Sequence, residues 1–122
     1  MSKTFLVVDD SSTIRRFSRG LLEELGFNVE EAANGQLALD ACAQGMPDAI
    51  LLDWNMPVMS GIDFLPRLRS MPEGGKPVVL FCTTESDMTF IEEALGKGAD
   101  EFIMKPFDGE ILASKLEMQG LV

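Results

Sequence analysis

Three aspartates, a threonine and a lysine stand directly after apolar runs of this chain, and together they could handle a phosphoryl group. Asp9-Asp10 follows Phe5–Val8. Asp53 follows Ala49–Leu52 and leads into Trp54-Asn55-Met56-Pro57. Thr83 follows Val78–Cys82, and Lys105-Pro106 follows Phe102–Met104. Taken singly, each has a plain structural reading. An Asp pair before a helix can cap it beside Ser11 and Ser12, and a lone Asp after a strand is a common turn residue. Thr83 can be a strand residue with a satisfied hydroxyl, and Lys105 a solvated charge. It is the recurrence at one kind of position that points to a site.

The chemistry of such a cluster is constrained. Three carboxylates packed together raise one another's proton affinity unless a cation offsets the repulsion. Hard oxygen ligands with little nitrogen or sulfur suit magnesium, which keeps several waters and favours a phosphate partner. Asp10 and Asp53 are the expected direct ligands, with Asp9 acting through water and the Asn55 backbone carbonyl completing the protein's share. With magnesium bound, Asp53 can attack phosphorus and form an acyl phosphate. Lys105 would neutralise charge on the phosphoryl oxygens while the Thr83 hydroxyl donates to one of them. Positioning and electrostatics are most of what phosphoryl transfer requires.

These residues converge only if the apolar runs lie side by side. Near-continuous hydrophobicity in four runs fits strands covered on both faces, as in a parallel sheet. A fifth segment, Asn28–Ala32, is more polar, as an edge strand should be. Helical patterns fall between them. Ile14, Phe17, Leu21 and Leu25 recur at three and four, and Gly26 then supplies a stop. A smaller helix covers Gly35 to Ala43. Ser60 with Asp63 makes a capping-box-like start for a third, running to about Arg69, with Pro66 inside it expected to bend it. Ile91, Ala94 and Leu95 mark a fourth, ended by Gly96 and Gly98, and a fifth runs from near Asp108 to about Met118. The order is β-α five times. Right-handed crossovers then put helices on both faces of the sheet, and ligands bind beyond the carboxyl ends of the central strands.

Composition narrows the function. The chain's 122 residues are the size of one domain, and 46% apolar residues suffice for its core. The formal net charge of −10 weighs against nucleic-acid and anionic-membrane partners. No apolar run is long enough to span a membrane and the start lacks a signal-peptide layout, so a cytoplasmic protein is the simplest expectation. Cys42 and Cys82, each within an apolar stretch, read as buried free thiols. Histidine is absent, so a phosphohistidine must come from another molecule.

Over essentially its whole length the sequence resembles the receiver domains of two-component signalling, most closely the free-standing chemotaxis regulators of the CheY type. The motifs that carry the resemblance are Phe5-Leu6-Val7-Val8-Asp9-Asp10, Leu52-Asp53-Trp54-Asn55-Met56-Pro57 and Met104-Lys105-Pro106-Phe107. It implies a flavodoxin-like (βα)5 domain over residues 1–122, with a five-stranded parallel sheet in the order 2-1-3-4-5. It also implies Asp53 as phosphoacceptor, Asp9 and Asp10 in the magnesium pocket, Lys105 as the active-site lysine, and Thr83 and Phe102 as the switch pair. Asn55 and Glu85 fall where the family tunes loss of the phosphoryl group. The implied donor is a histidine kinase or a histidine phosphotransfer protein, and the output is protein binding in motility or phosphorelay control. Thr84 is larger than is common beside the switch hydroxyl. Arg15, Arg16 and Arg19 form a dock for an acidic donor surface, or simply a solvated basic face.

Other functions fit less well. Phosphohydrolases with an aspartyl nucleophile need an acid two residues further on, where this chain has Asn55. A nucleotide- or flavin-binding module would place glycines or hydroxyls after the first strand, where Asp9 and Asp10 would repel phosphate. A phosphorylation-independent adaptor would usually have lost an acid, the acceptor or the lysine, and none is lost here. A phosphate sink in a relay stays open beside a binding switch.

Overall fold

A computed structural model describes residues 3–84 and 89–122. Five strands alternate with five helices: β1 Thr4–Val8, α1 Ser12–Glu24, β2 Asn28–Ala32, α2 Gly35–Gln44, β3 Ala49–Asp53, α3 Gly61–Arg69, β4 Val78–Thr84, α4 Ile91–Gly96, β5 Glu101–Lys105 and α5 Gly109–Met118. All neighbouring strands pair in parallel, in the order β2-β1-β3-β4-β5. This is the α/β architecture expected from the sequence, with the polar segment Asn28–Ala32 at one edge and β5 at the other.

Side-chain alternation along the strands divides the core into two layers. Leu6, Val8, Ile50, Leu52, Val79 and Phe81 pack toward α2, α3 and α4. Phe5, Val7, Ala49, Leu51, Cys82 and Ile103 pack toward α1 and α5 with Leu22, Leu112 and Leu116. Every residue of β3 is buried, which is the physical basis of its unbroken apolar run. Cys42 and Cys82 are buried free thiols. Burial lifts the Cys42 thiol to about 11 and pushes that of Cys82 up as well.

The helices start where their capping residues stand. Ser11, Asn34, Ser60 and Asp108 each accept a backbone N–H from three residues on, at the starts of α1, α2, α3 and α5. Helix α3 runs through Pro66, which lies on its exposed side. One expectation shifts. Phe17 and Leu25 of the apolar stripe on α1 are 49% and 38% exposed, while Ser18 and Leu22 are buried. The stripe is wider than the surface it covers, so its margin faces solvent.

The turn after β3 is fixed by a close approach. The Gly61 amide donates to the Trp54 carbonyl at 2.9 Å, and a Cβ on Gly61 would overlap the Asp53 carbonyl oxygen. Helix α3 therefore sits hard against the end of β3, and only glycine fits. Gly61→Ala is expected to destabilise the fold by about 1–3 kcal/mol through overpacking, as read by urea unfolding. It should also shift Trp54 emission in the native state, because the backbone that must yield carries Asp53 and Trp54.

Candidate functional site

Asp53 and Lys105 are the last residues of β3 and β5, and Thr83 lies within β4. The sequence had suggested positions just beyond the strands. The ladders run one or two residues further than the apolar runs, so these side chains stand on paired backbone rather than on free loops. Asp9 directly follows β1, and its amide still donates to the Ala32 carbonyl at 3.1 Å. Two-residue alternation puts Asp9, Asp53 and Lys105 in phase with Val7, Leu51 and Ile103, so they extend a single face of the sheet at its carboxyl edge.

The Lys105 ammonium lies between two carboxylates. Its Nζ donates to Asp9 Oδ2 at 2.8 Å and to Asp53 Oδ1 at 3.1 Å. Asp9 and Asp53 are buried, whereas Asp10 is exposed at the mouth. The other Asp9 oxygen, Oδ1, accepts the Ser11 amide at 2.9 Å. Helix entry and charge pairing are thus shared between the two oxygens of one side chain, while the cap of α1 itself is Ser11.

Electrostatics reflect this crowding. Burial raises the Asp53 carboxyl above its ordinary range, and the nearby charges of Asp9 and Asp10 add to the rise, while Lys105 opposes it. Burial alone would lower the Lys105 ammonium. The hydrogen bond to Asp9 and the charges of Asp53 and Asp9 outweigh that, and its pKa rises. One ammonium therefore compensates three carboxylates only in part, and the site retains an attraction for a further cation.

The donor set fits a hard divalent ion. One carboxylate oxygen from each of Asp9, Asp10 and Asp53 lies within 4.8 Å of the others. They border an open hollow of about 300 Å³, lined also by Ser11, Trp54, Asn55, Thr83, Thr84 and Lys105. All the acidic donors are oxygen, and the hollow leaves room for the waters that magnesium keeps. Thr83 is buried, with its hydroxyl donating to the Thr84 carbonyl at 3.3 Å. Asn55 is exposed at the rim. Phe102 pairs with Phe81 on β4 and so shares a sheet face with Thr83, two positions away. Glu85 lies outside the described residues.

Three features were not read from sequence. Trp54 stacks on Phe90, with ring centroids 4.3 Å apart and planes 22° from parallel, so the residue after Asp53 touches the start of α4. A second hollow, about 240 Å³ and mostly apolar, opens beside the first between Ile14, Phe17, Thr84, Lys105, Pro106 and Phe107. The arginines of α1 also differ from expectation. Arg15 donates to the Asp9 carbonyl at 2.7 Å and, with Arg19, pairs with Glu31 on β2. These two basic groups are engaged within the chain, while Arg16 is exposed.

Fold and site together define a receiver domain, and the response regulator receiver domain family matches residues 5–117. The chain belongs to this family. It is 42% identical to chemotaxis protein CheY-3 of Vibrio cholerae over 92% of this chain and 87% of that protein. It is 41% identical to chemotaxis protein CheY of Pseudomonas aeruginosa over 92% of this chain and 91% of that one. The solved structure of the V. cholerae chemotaxis response regulator CheY4 superposes with a TM-score of 0.90 at 34% identity, covering 97% of this chain and 98% of the other.

The buried Asp53 carboxylate gives a pH test. Its raised pKa means that the native state holds this proton more tightly than the unfolded chain does. Its contribution to stability is therefore present at acid pH and lost as pH rises through the folded value. Without metal, Asp53→Asn should melt at a higher temperature than the wild type, with a gap that widens from mildly acidic to neutral pH. Added magnesium should raise the wild-type midpoint, more at neutral than at acid pH because protons compete for Asp53, and should leave Asp53→Asn nearly unmoved.

Proposed function

We propose that this chain is a response regulator that takes a phosphoryl group onto Asp53 from the phosphohistidine of a histidine kinase or histidine phosphotransfer protein, and that acts by binding another protein. The observation that carries this reading is the Lys105 ammonium bridging Asp9 and Asp53, with Asp10 close enough to share a cation. Magnesium is the proposed cofactor, held by Asp10 and Asp53, by Asp9 through water and by the Asn55 backbone carbonyl. When bound, it would neutralise phosphoryl oxygens and leave Asp53 free to react.

An Asp53 oxygen then forms the new bond to phosphorus as the donor's phosphorus–nitrogen bond breaks, and the electron pair of that bond stays on the departing imidazole. Lys105, already 3.1 Å from Asp53, neutralises charge that develops on the transferred group. The Thr83 hydroxyl, directed at its own strand in this state, turns toward a phosphoryl oxygen. The space it leaves allows Phe102 to move on the same face of the sheet, and the surface of α4, β5 and α5 changes shape with it. Asn55 and Glu85 are the proposed positions that set how fast water removes the phosphoryl group. Turnover is limited to this self-phosphorylation and dephosphorylation.

The donor must approach across the mouth of the site. The apolar hollow of Phe17, Pro106 and Phe107, with Arg16 exposed on the same helix, supports docking there rather than on the engaged Arg15 and Arg19. Similarity to chemotaxis proteins makes motility control the first setting to test and phosphorelay control the second. A cytoplasmic location is proposed; among the described residues no helix is long and apolar enough to cross a membrane.

Intact-mass measurement after incubation with magnesium and a small phosphodonor decides the central claim. The wild type should gain one phosphoryl group and Asp53→Asn none. Lys105→Met should slow the gain by about a hundredfold, the usual effect of removing one group that stabilises developing charge. A wild type that gains no mass under these conditions refutes the reading. Trp54 emission should follow the same saturation, since its ring borders the pocket.

A further inference from the structure

Among the described residues, Phe102 is in neither buried layer of the core. Its ring is half-buried on the edge strand β5, and the Lys115 ammonium of α5 lies over it, 4.3 Å from the ring centroid. Lys115 is itself anchored, with its Nζ 3.4 Å from Glu101 Oε1. That same Glu101 oxygen accepts the Phe102 backbone amide at 2.9 Å. The Glu101 and Lys115 side chains are only 14% and 22% exposed, so the pair is partly withdrawn from water and a cation–π contact there is less screened than on an open surface. The three residues form a closed set. The strand's own amide fixes the carboxylate, the carboxylate holds the ammonium, and the ammonium covers the ring.

We infer that Lys115, fixed by Glu101, is a positioning residue that holds the Phe102 ring at the edge of β5 and so sets the threshold for the switch. This rests on the proposed phosphorylation of Asp53 for its consequence, but the hold on the ring exists in the free chain. For the ring to leave its place, the contact with the ammonium must break. Its stabilisation therefore favours the resting state, and any ligand that draws the ring away must bind against it. Arginine at the same position keeps both the charge and the affinity for an aromatic face, whereas methionine keeps the length and loses both.

The test introduces 4-fluorophenylalanine at position 102 and follows its fluorine resonance in the full chain. Lys115→Met and Glu101→Gln are expected to move the resonance of the free protein toward the position the unsubstituted chain reaches with magnesium and beryllofluoride. They should also lower the half-saturating beryllofluoride concentration about two- to fivefold, as an exposed to half-buried cation–π contact predicts. Lys115→Arg should restore both to wild-type values. A Lys115→Met chain with wild-type resonance and wild-type half-saturation overturns the inference. If Lys115→Met moves the resonance but magnesium and beryllofluoride move it in no variant, the hold on the ring stands and the phosphoacceptor function falls.

Discussion

A single ammonium draws together carboxylates that would otherwise repel. Lys105 reaches from the edge strand to Asp9 and Asp53, at the ends of strands that are not its neighbours in the sheet, and partly neutralises the carboxyl edge of the domain. The balance is incomplete because Asp10 adds a third negative charge at the mouth. An under-compensated buried cluster is costly without a cation and favourable with one. The same imbalance that weakens the resting fold leaves three acidic side chains grouped where they could hold a cation.

The rest of the architecture keeps that cluster in place. β3 is buried along its length, and Gly61 brings α3 against the Asp53 carbonyl. Arg15 of α1 donates to the Asp9 carbonyl and is braced by Glu31 on β2, so the turn after β1 is tied to both. The Trp54–Phe90 stack carries this brace on to the start of α4.

Surface chemistry is distributed unevenly around the mouth. On the α1 side, Phe17 and Phe107, with ring centroids 6.1 Å apart, border an apolar hollow. On the other side, β5 and α5 present Phe102 beneath an ion pair. The first surface suits an incoming partner that must dock close to Asp53. The second holds one aromatic ring under a partly buried ion pair. Both lie within reach of the cluster because both flank β5, which ends in Lys105.

The β-α alternation, the strand runs and the identities of Asp9, Asp10, Asp53, Thr83 and Lys105 were legible in the sequence. Hydrophobic burial writes strands as apolar runs, and a parallel sheet puts the carboxyl ends of those runs together whatever the details of packing. Capping was legible too at Ser11 and Ser60, since each acts through an amide only three residues away. What only the tertiary structure decided depends on distance in space between residues far apart in the chain. Examples are the pairing of Arg15 and Arg19 with Glu31, the exposure of Phe17, the stacking of Trp54 on Phe90, and the Lys115 ammonium over Phe102. A residue's type limits the contacts it can make, but which contact it does make is set by the neighbour that folding brings to it.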